Sequence, residues 1–382
     1  MTGQGKVLFV AHVENHLLNF HQPFFKYFQA KGWQVHVATR LGRRQGELAG
    51  LGVVCHDVFF ARSPFSFSNV GALRQLCHIM EQERFSLVHV HTPVGAFLGR
   101  LAARLTGTRP VVYTVHGFHF YHGSPSKSWL LYYPLEKLAA RWTDALVTIN
   151  REDLQLSQRF ALRKGGGVLF VHGVGLALEE YQQCTETSRQ HWRSELGFAA
   201  DVVLVICVAE FMAGKNHLQA LQAFKRIAAV KKNIFLLLAG EGQDEDIIRK
   251  QVQMLELGEQ VRFLGFRRDV PELLCAADIF VLTSLREGLP RVVMEAMAAG
   301  KPVVTTDIRG NRDLVSDGEN GFLVPVGDVD RTAEAILKLA ADQELAAIMG
   351  KVGQEMIWPY AIEQVLAEME QVYARALEGK PS

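Results

Sequence analysis

Short apolar runs rich in branched residues alternate along this chain with stretches of helix length. Runs near 6–12, 34–39, 86–91, 110–115, 144–149 and 168–172 read as strands, and most of the intervals between them can hold a helix. The rhythm restarts at Val202–Val208 and continues through Ile234–Ala239, Val261–Leu264, Ile279–Thr283, Val303–Thr306 and Phe322–Val324. The expected fold class is therefore α/β, with two doubly wound parallel-sheet units in tandem. Residues 173–200 are poor in strand signal and carry the polar run Gln182–Gln190, which places the boundary there: a first domain over 1–178, a second over 179–358 and a terminal segment over 359–382. In that last segment Ile362, Val365, Leu366, Met369, Val372 and Tyr373 recur at amphipathic helix spacing.

At 382 residues and 48% apolar, with no run long enough to cross a bilayer, the chain can bury a large core in each of two domains. A formal net charge of +1 gives no overall argument for nucleic acid, so an anionic partner must be met locally. Cys55, Cys77, Cys184, Cys207 and Cys275 are odd in number and scattered, and read as reduced thiols in a cytoplasmic protein. The N-terminus passes almost at once into Lys6–Ala11, which reads as a first strand and not as a signal peptide.

The densest chemistry lies in Ala277–Val304. A buried strand leads to a loop carrying Glu287, then a helix with Pro290 in its first turn and a second carboxylate at Glu295, and Gly300-Lys301-Pro302 ends it before another strand. Unpaired N–H groups and the positive end of the macrodipole favour an anion near Gly288 and Leu289. Glu295 stands roughly 7–8 Å further along the helix axis, so two carboxylates could accept hydroxyl hydrogen bonds from opposite ends of one elongated phosphate-containing ligand. Earlier, Lys215 follows Gly214 after a strand, where an ammonium and a helix start can meet a diphosphate. Gly240 and Gly242 flank another strand end and allow backbone to approach a ligand or turn tightly.

In the first domain, Val112–Val115 runs into His116-Gly117-Phe118-His119, at a strand end where an imidazole can donate or accept near neutral pH. His12, Asn15, His16 and His21 follow the first strand, and His89 and His91 end another. Of these, His12, Asn15 and His16, together with His119, are assigned to the acceptor side. His116, His119 and His122 recur every third residue, but no cysteine or carboxylate cluster completes a ligand set, so no metal site is expected. No G-x-G-x-x-G follows the first strand, which argues against a dinucleotide oxidoreductase.

The segment Glu287-Gly288-Leu289-Pro290-Arg291-Val292-Val293-Met294-Glu295-Ala296-Met297-Ala298-Ala299-Gly300-Lys301-Pro302 resembles the paired-glutamate motif of the retaining family 4 glycosyltransferases, which have the GT-B fold. The resemblance covers nearly the whole chain and is densest from 202 to 325. It implies that Glu295 holds the nucleotide ribose, that Glu287 and His116 face the donor sugar, and that Lys215 holds the diphosphate. It further implies that the loop with Phe266 and Arg267 receives the nucleobase and that the terminal helix crosses back onto the first domain. The family usually has Gly-Arg where this chain has Ala209-Glu210. Glu210 is left without a role, and Arg286, Arg291, Arg309 or a divalent ion are the substitutes for the missing guanidinium.

His116–Tyr121, Leu135–Lys137 and Thr148–Asn150 look most like members that build capsular and exopolysaccharide units. The implied activity is transfer of a hexose or N-acetylhexosamine from a UDP-sugar to a hydroxyl of a glycan acceptor linked to polyprenyl diphosphate, with no cofactor and no required metal. The implied place is the cytoplasm, at the inner face of the membrane. Basic residues beside aromatics in Phe59–Phe67 and Lys127–Pro134 suit a membrane interface, and equally suit core packing beside a surface charge. A nucleotide-sugar 2-epimerase of the same architecture and a non-catalytic nucleotide-sugar-binding partner are the alternatives.

Overall fold

A computed structural model describes residues 5–61, 63 and 66–379. The chain divides into two compact units, one formed by 1–175 with 362–382 and the other by 176–361. Unit 1 has a parallel sheet of β1 (Lys6–Val13), β2 (Gln34–Arg40), β3 (Val54–Asp57), β4 (Leu87–Val90), β5 (Val111–Val115), β6 (Ala145–Thr148) and β7 (Gly167–Phe170), in the order β3-β2-β1-β4-β5-β6-β7. Unit 2 has β8 (Val203–Val208), β9 (Ile234–Ala239), β10 (Val261–Gly265), β11 (Ile279–Leu282), β12 (Val303–Thr306) and β13 (Gly321–Val324), in the order β10-β9-β8-β11-β12-β13.

Both sheets run outward from their first strand in one direction and then restart on its other side. The order therefore reverses between β1 and β4, where Val7 pairs with Leu87, and between β8 and β11, where Ile279 pairs with Val205. Crossover helices leave on opposite faces at such a point, so a crevice opens beyond the carboxyl ends of those two strands.

Period-two alternation decides which face each strand residue covers. In β1, Leu8 and Val10 join Ala72, Leu76 and Met80 of the helix Ser68–Glu83, while Val7 and Phe9 join Phe24, Phe25 and Phe28 of the helix Gln22–Ala30. The terminal helix Ile362–Glu378 adds Val365, Met369, Val372, Tyr373 and Ala376 to that second cluster. Full burial of each large apolar side chain stabilises by about 1.5–3 kcal/mol, enough to hold a helix so far along the chain against the helix Gln22–Ala30, β4 and β5. Tyr373 adds a hydrogen bond at 3.0 Å to His89 Nδ1 on β4.

Three expectations need correction. The strand β3 was not foreseen, because Val54-Cys55-His56-Asp57 at the sheet edge is only partly buried and shows no apolar run. The helix after Glu287 starts at Arg291, with Pro290 as its extended N-cap and not within its first turn. Cys184 and Cys275 are joined in a disulfide, and only Cys55, Cys77 and Cys207 are free. They meet because the helix Glu186–Glu195, beginning just after Cys184, packs on the helix Val270–Ala276 that carries Cys275. Among the described residues no helix is long and apolar enough to cross a membrane. Of the aromatic and basic run Phe59–Phe67, Arg62, Pro64 and Phe65 lie outside the described residues.

Candidate functional site

In unit 2 the loops after β8 and β11 meet at the reversal of strand order and are laced together by backbone. Leu285 N–H donates to Gly214 O at 2.9 Å, and the Thr283 hydroxyl donates to Asn216 O at 2.9 Å. Lys215, in a short 3-10 turn ahead of the helix His217–Val230, is thereby set against Glu287, with Nζ 2.6 Å from Oε1. Both side chains remain partly accessible, at 24% and 13%. The sequence assigned them to separate parts of a ligand; the structure makes them each other's counter-ion. An ammonium so placed can exchange a carboxylate for a diphosphate oxygen with little reorganisation, and the carboxylate is then released to accept from hydroxyls.

Gly240 and Gly242 have a use in the fold itself. A Cβ at Gly240, whose φ is +152°, would lie 2.0 Å from the Ala209 carbonyl oxygen, and one at Gly242 would lie 2.3 Å from that of Phe211. These glycines let the loop after β9 pass close against the backbone of the loop after β8, which leads on to Lys215. Gly310 plays the same part beside Gly288, whose carbonyl oxygen would be 2.5 Å from an added Cβ.

Glu295 is buried on the helix Arg291–Ala298, accepts from Arg291 Nε at 2.9 Å and is hydrogen-bonded by the Tyr181 phenol. Burial pushes its carboxyl pKa up, opposed by the Arg291 charge. A carboxylate has about four acceptor sites, so two donors leave room for a ligand hydroxyl. Tyr181 is a partner that the sequence reading missed, more than a hundred residues upstream of the motif.

Of the three arginines named as substitutes for the missing guanidinium, Arg291 is paired with Glu295 and Arg309 donates to the Glu287 carbonyl at 3.3 Å, while Arg286 is exposed. Glu210 is exposed as well. Gly288 and Leu289 are half-buried ahead of the helix start, Phe266 is 63% exposed, and Arg267 is ion-paired with Asp269. His217 also escaped notice. It is buried against Phe211 at a ring separation of 5.0 Å, and burial together with the Lys215 charge lowers its pKa to about 4.

In unit 1 the corresponding face is made of imidazoles. Because β1, β4 and β5 are neighbours, His12 on β1, His16 and His21 after it, His89 and His91 at the end of β4, and His116 after β5 converge. His16 and His116 have ring centroids 4.5 Å apart, His21 and His91 3.9 Å apart, and His91 Nδ1 lies 3.3 Å from His116 Nε2. Burial lowers the pKa of His89 and His116 to about 3 and pushes those of His16, His21 and His91 well below the ordinary value, with neighbouring imidazoles adding to the effect. These rings are neutral at physiological pH.

His116 is positioned by its loop. Gly117 takes φ +126°, Phe118 N–H donates to Asp153 Oδ2 at 3.2 Å, and His122 N–H donates to Glu152 Oε1 at 2.7 Å. The structure therefore brings His12, His16 and His116 to one place. It does not bring Asn15 or His119 there: Asn15 is exposed and accepts from Arg44 at 3.3 Å, while His119 packs on Tyr132 at 4.6 Å.

Residues 6–150 match the family model described as glycosyl transferase 4-like, and residues 188–356 the one described as glycosyl transferases group 1. EpsD of Bacillus subtilis (strain 168), a protein that bears a glycosyltransferase name, is 37% identical over 376 residues, spanning 98% of this chain and 97% of its own. The UDP-Gal:alpha-D-GlcNAc-diphosphoundecaprenol alpha-1,3-galactosyltransferase of Escherichia coli is 28% identical over 313 residues, 81% of this chain and 80% of its own. Among solved structures, Anabaena Alr3699/HepE in complex with UDP superimposes with a TM-score of 0.81 at 19% identity, over 97% of this chain and 100% of that one.

Proposed function

This chain belongs to the family 4 glycosyltransferases of the GT-B fold, and from that premise we propose that it transfers a hexose or N-acetylhexosamine from a UDP-sugar, with retention of configuration, to a lipid-linked glycan acceptor in cell-surface polysaccharide synthesis. The observation that carries this reading is the Lys215–Glu287 pair at the β8/β11 reversal, one turn of backbone ahead of a helix start that also bears Glu295. Lys215 and the N–H groups near Gly288 and Leu289 hold the departing diphosphate, Glu295 anchors the ribose, and Glu287 and His116 orient the sugar. The acceptor oxygen bonds to the anomeric carbon as the bond from that carbon to the β-phosphate oxygen breaks, and the acceptor proton passes to a donor phosphate oxygen. Catalysis on this reading is positioning and charge stabilisation, and the diphosphate needs no divalent ion.

Support for a UDP-sugar comes from the name of the Escherichia coli relative and from the UDP bound to HepE. The same relative's diphosphoundecaprenol substrate supports a lipid-linked acceptor. So does the helix Ser126–Ala140 of unit 1, where Leu130 is 82% exposed and Leu131 and Leu138 are exposed beside Lys127 and Lys137. Apolar side chains flanked by lysines suit the interface of an anionic bilayer, which would place the enzyme at the inner membrane face.

Calorimetric titration of UDP, GDP and ADP, with and without Mg2+, tests the donor site. UDP should bind best, and Glu295→Ala should weaken it by about 1–3 kcal/mol, the scale of a lost charge-assisted hydrogen bond. Equal binding by the variant would remove Glu295 from the ribose. Turnover of a UDP-sugar into its epimer without acceptor would replace transfer by epimerisation.

A further inference from the structure

We propose that the imidazoles of His16, His21, His91 and His116 bind one divalent transition-metal cation in unit 1, apart from the diphosphate chemistry of unit 2. One ligand atom from each of these residues lies within 4.8 Å of all the others. The remaining ring-centroid separations, 5.0 Å for His16 and His21, 5.4 Å for His91 and His116, 5.7 Å for His21 and His116 and 5.8 Å for His16 and His91, complete a compact four-cornered cage. A tetrahedral Zn2+ with nitrogens at about 2.0–2.1 Å separates those nitrogens by about 3.4 Å. Contraction by up to about 1.4 Å closes the cage, a distance that side-chain rotations can cover.

The second observation is independent of the spacing. His16 Nε2, both nitrogens of His21 and His91 Nε2 are buried without a hydrogen-bond partner. Buried nitrogens in folded proteins are ordinarily paired, and a cluster of exceptions marks a ligand site. His89 shows the contrast, since its ring, 4.1 Å from that of His91, is satisfied at Nε2 by Thr114 and at Nδ1 by Tyr373. His89 therefore packs as a structural histidine, whereas His16, His21 and His91 each keep a buried ring nitrogen without a partner, and His91 Nδ1 and His116 Nε2 are paired only as two imidazoles with each other.

The donor set chooses the class of ion. Nitrogen ligands without a carboxylate disfavour Ca2+ and Mg2+, which take oxygen, and suit Zn2+, Co2+, Ni2+ or Cu2+. An ion there would join the helix Glu14–Phe20 and His21 to the ends of β4 and β5. Ligation of His116 through Nε2, the atom that faces His91, would leave its proton on Nδ1 and make that nitrogen a donor.

The test uses the untagged full-length chain, stripped with a chelator and equilibrated with Zn2+ or Co2+. About one Zn2+ per chain should be retained, and the Co2+ form should show the intense visible bands of tetrahedral nitrogen coordination. His21→Gln and His91→Gln should each weaken retention by about tenfold or more. His191→Gln, at an exposed histidine of unit 2, should leave it unchanged. Absence of retained metal at micromolar free Zn2+, or retention unaltered in both cluster variants, overturns the site. Should either variant fail to fold, the Co2+ spectrum of the unaltered chain decides alone, and weak octahedral bands would count against the proposal.

Discussion

The two carboxyl-end faces share one architecture and carry opposite chemistry. At the β8/β11 reversal of unit 2 the side chains are charged and paired, Lys215 with Glu287 and Arg291 with Glu295. At the β1/β4 reversal of unit 1 they are neutral imidazoles, with His21 and His91 buried and His16 and His116 partly so. A charged face with exchangeable counter-ions suits a diphosphate and its ribose, because the Lys215 ammonium can pass from the Glu287 carboxylate to a phosphate oxygen and leave that carboxylate to accept from hydroxyls. A neutral nitrogen-rich face suits hydroxyl groups or a metal ion. The doubly wound sheet supplies the crevice twice, and the residues at its strand ends make the two crevices chemically different.

The comparison extends to stability, and its largest test is covalent. Unit 2 holds the Cys184–Cys275 disulfide, which spans 91 residues of sequence, while the thiols Cys55 and Cys77 of unit 1 are free. Cys184→Ser should destabilise unit 2 by about 2–4 kcal/mol and leave unit 1 unchanged. Urea unfolding followed separately through Trp192 and Trp358 of unit 2 and Trp33, Trp129 and Trp142 of unit 1 reads this directly. An equal loss in both would break the comparison.

Next in size, Lys215→Ala should weaken UDP by about 1.5–3 kcal/mol and leave uridine, which has no phosphate, unaffected. Calorimetry showing unaltered UDP binding would confine Lys215 to its pairing with Glu287.

Acid separates the units by a smaller amount. His36 is buried, its Nδ1 2.9 Å from His56 Nε2, and burial followed by the His56 charge lowers its pKa to about 4. The unfolded chain takes up this proton near pH 6.5 and the folded chain only near 4, so its stabilising contribution is complete above 6.5 and falls as pH drops between those values. His36→Gln should lessen the slope of unit 1 unfolding across that window by the share of one proton, leaving the slope that His16, His21, His89, His91 and His116 contribute. A slope unchanged by the substitution would assign the acid sensitivity elsewhere. The smallest effect is that of Tyr373→Phe, which removes the bond to His89 and should cost unit 1 about 1 kcal/mol without altering unit 2. Matching chevron plots would show which rate carries the change.

Legibility differed in the same way between the faces. The loop with Glu287, the helix and Glu295 form one short segment whose turn and spacing are local, so its strand-loop-helix order could be read directly, with the helix start displaced only from Pro290 to Arg291. The imidazole cluster draws on segments around residues 12–21, 89–91 and 116, and each segment alone shows only a histidine near a strand end. The regular spacing of His116, His119 and His122 pointed to a grouping that the fold does not make, since His119 turns to Tyr132. Position after β1, β4 and β5 was the usable signal, and it becomes one only when those strands are known to be adjacent.

Hydrophobic periodicity acts over windows of a few residues, so the sequence by itself determined the alternation of strand and helix, the tandem α/β units and the amphipathic terminal helix. Partnerships across long separations were decided by tertiary structure. Lys215 meets Glu287 across 72 residues and Tyr373 meets His89 across 284 because strand order and helix packing bring them within hydrogen-bond reach. The edge strand β3 and the disulfide belong with them. A half-exposed edge strand carries little apolar pattern, and whether two cysteines bond depends on how the helices beside them pack, which no local window contains.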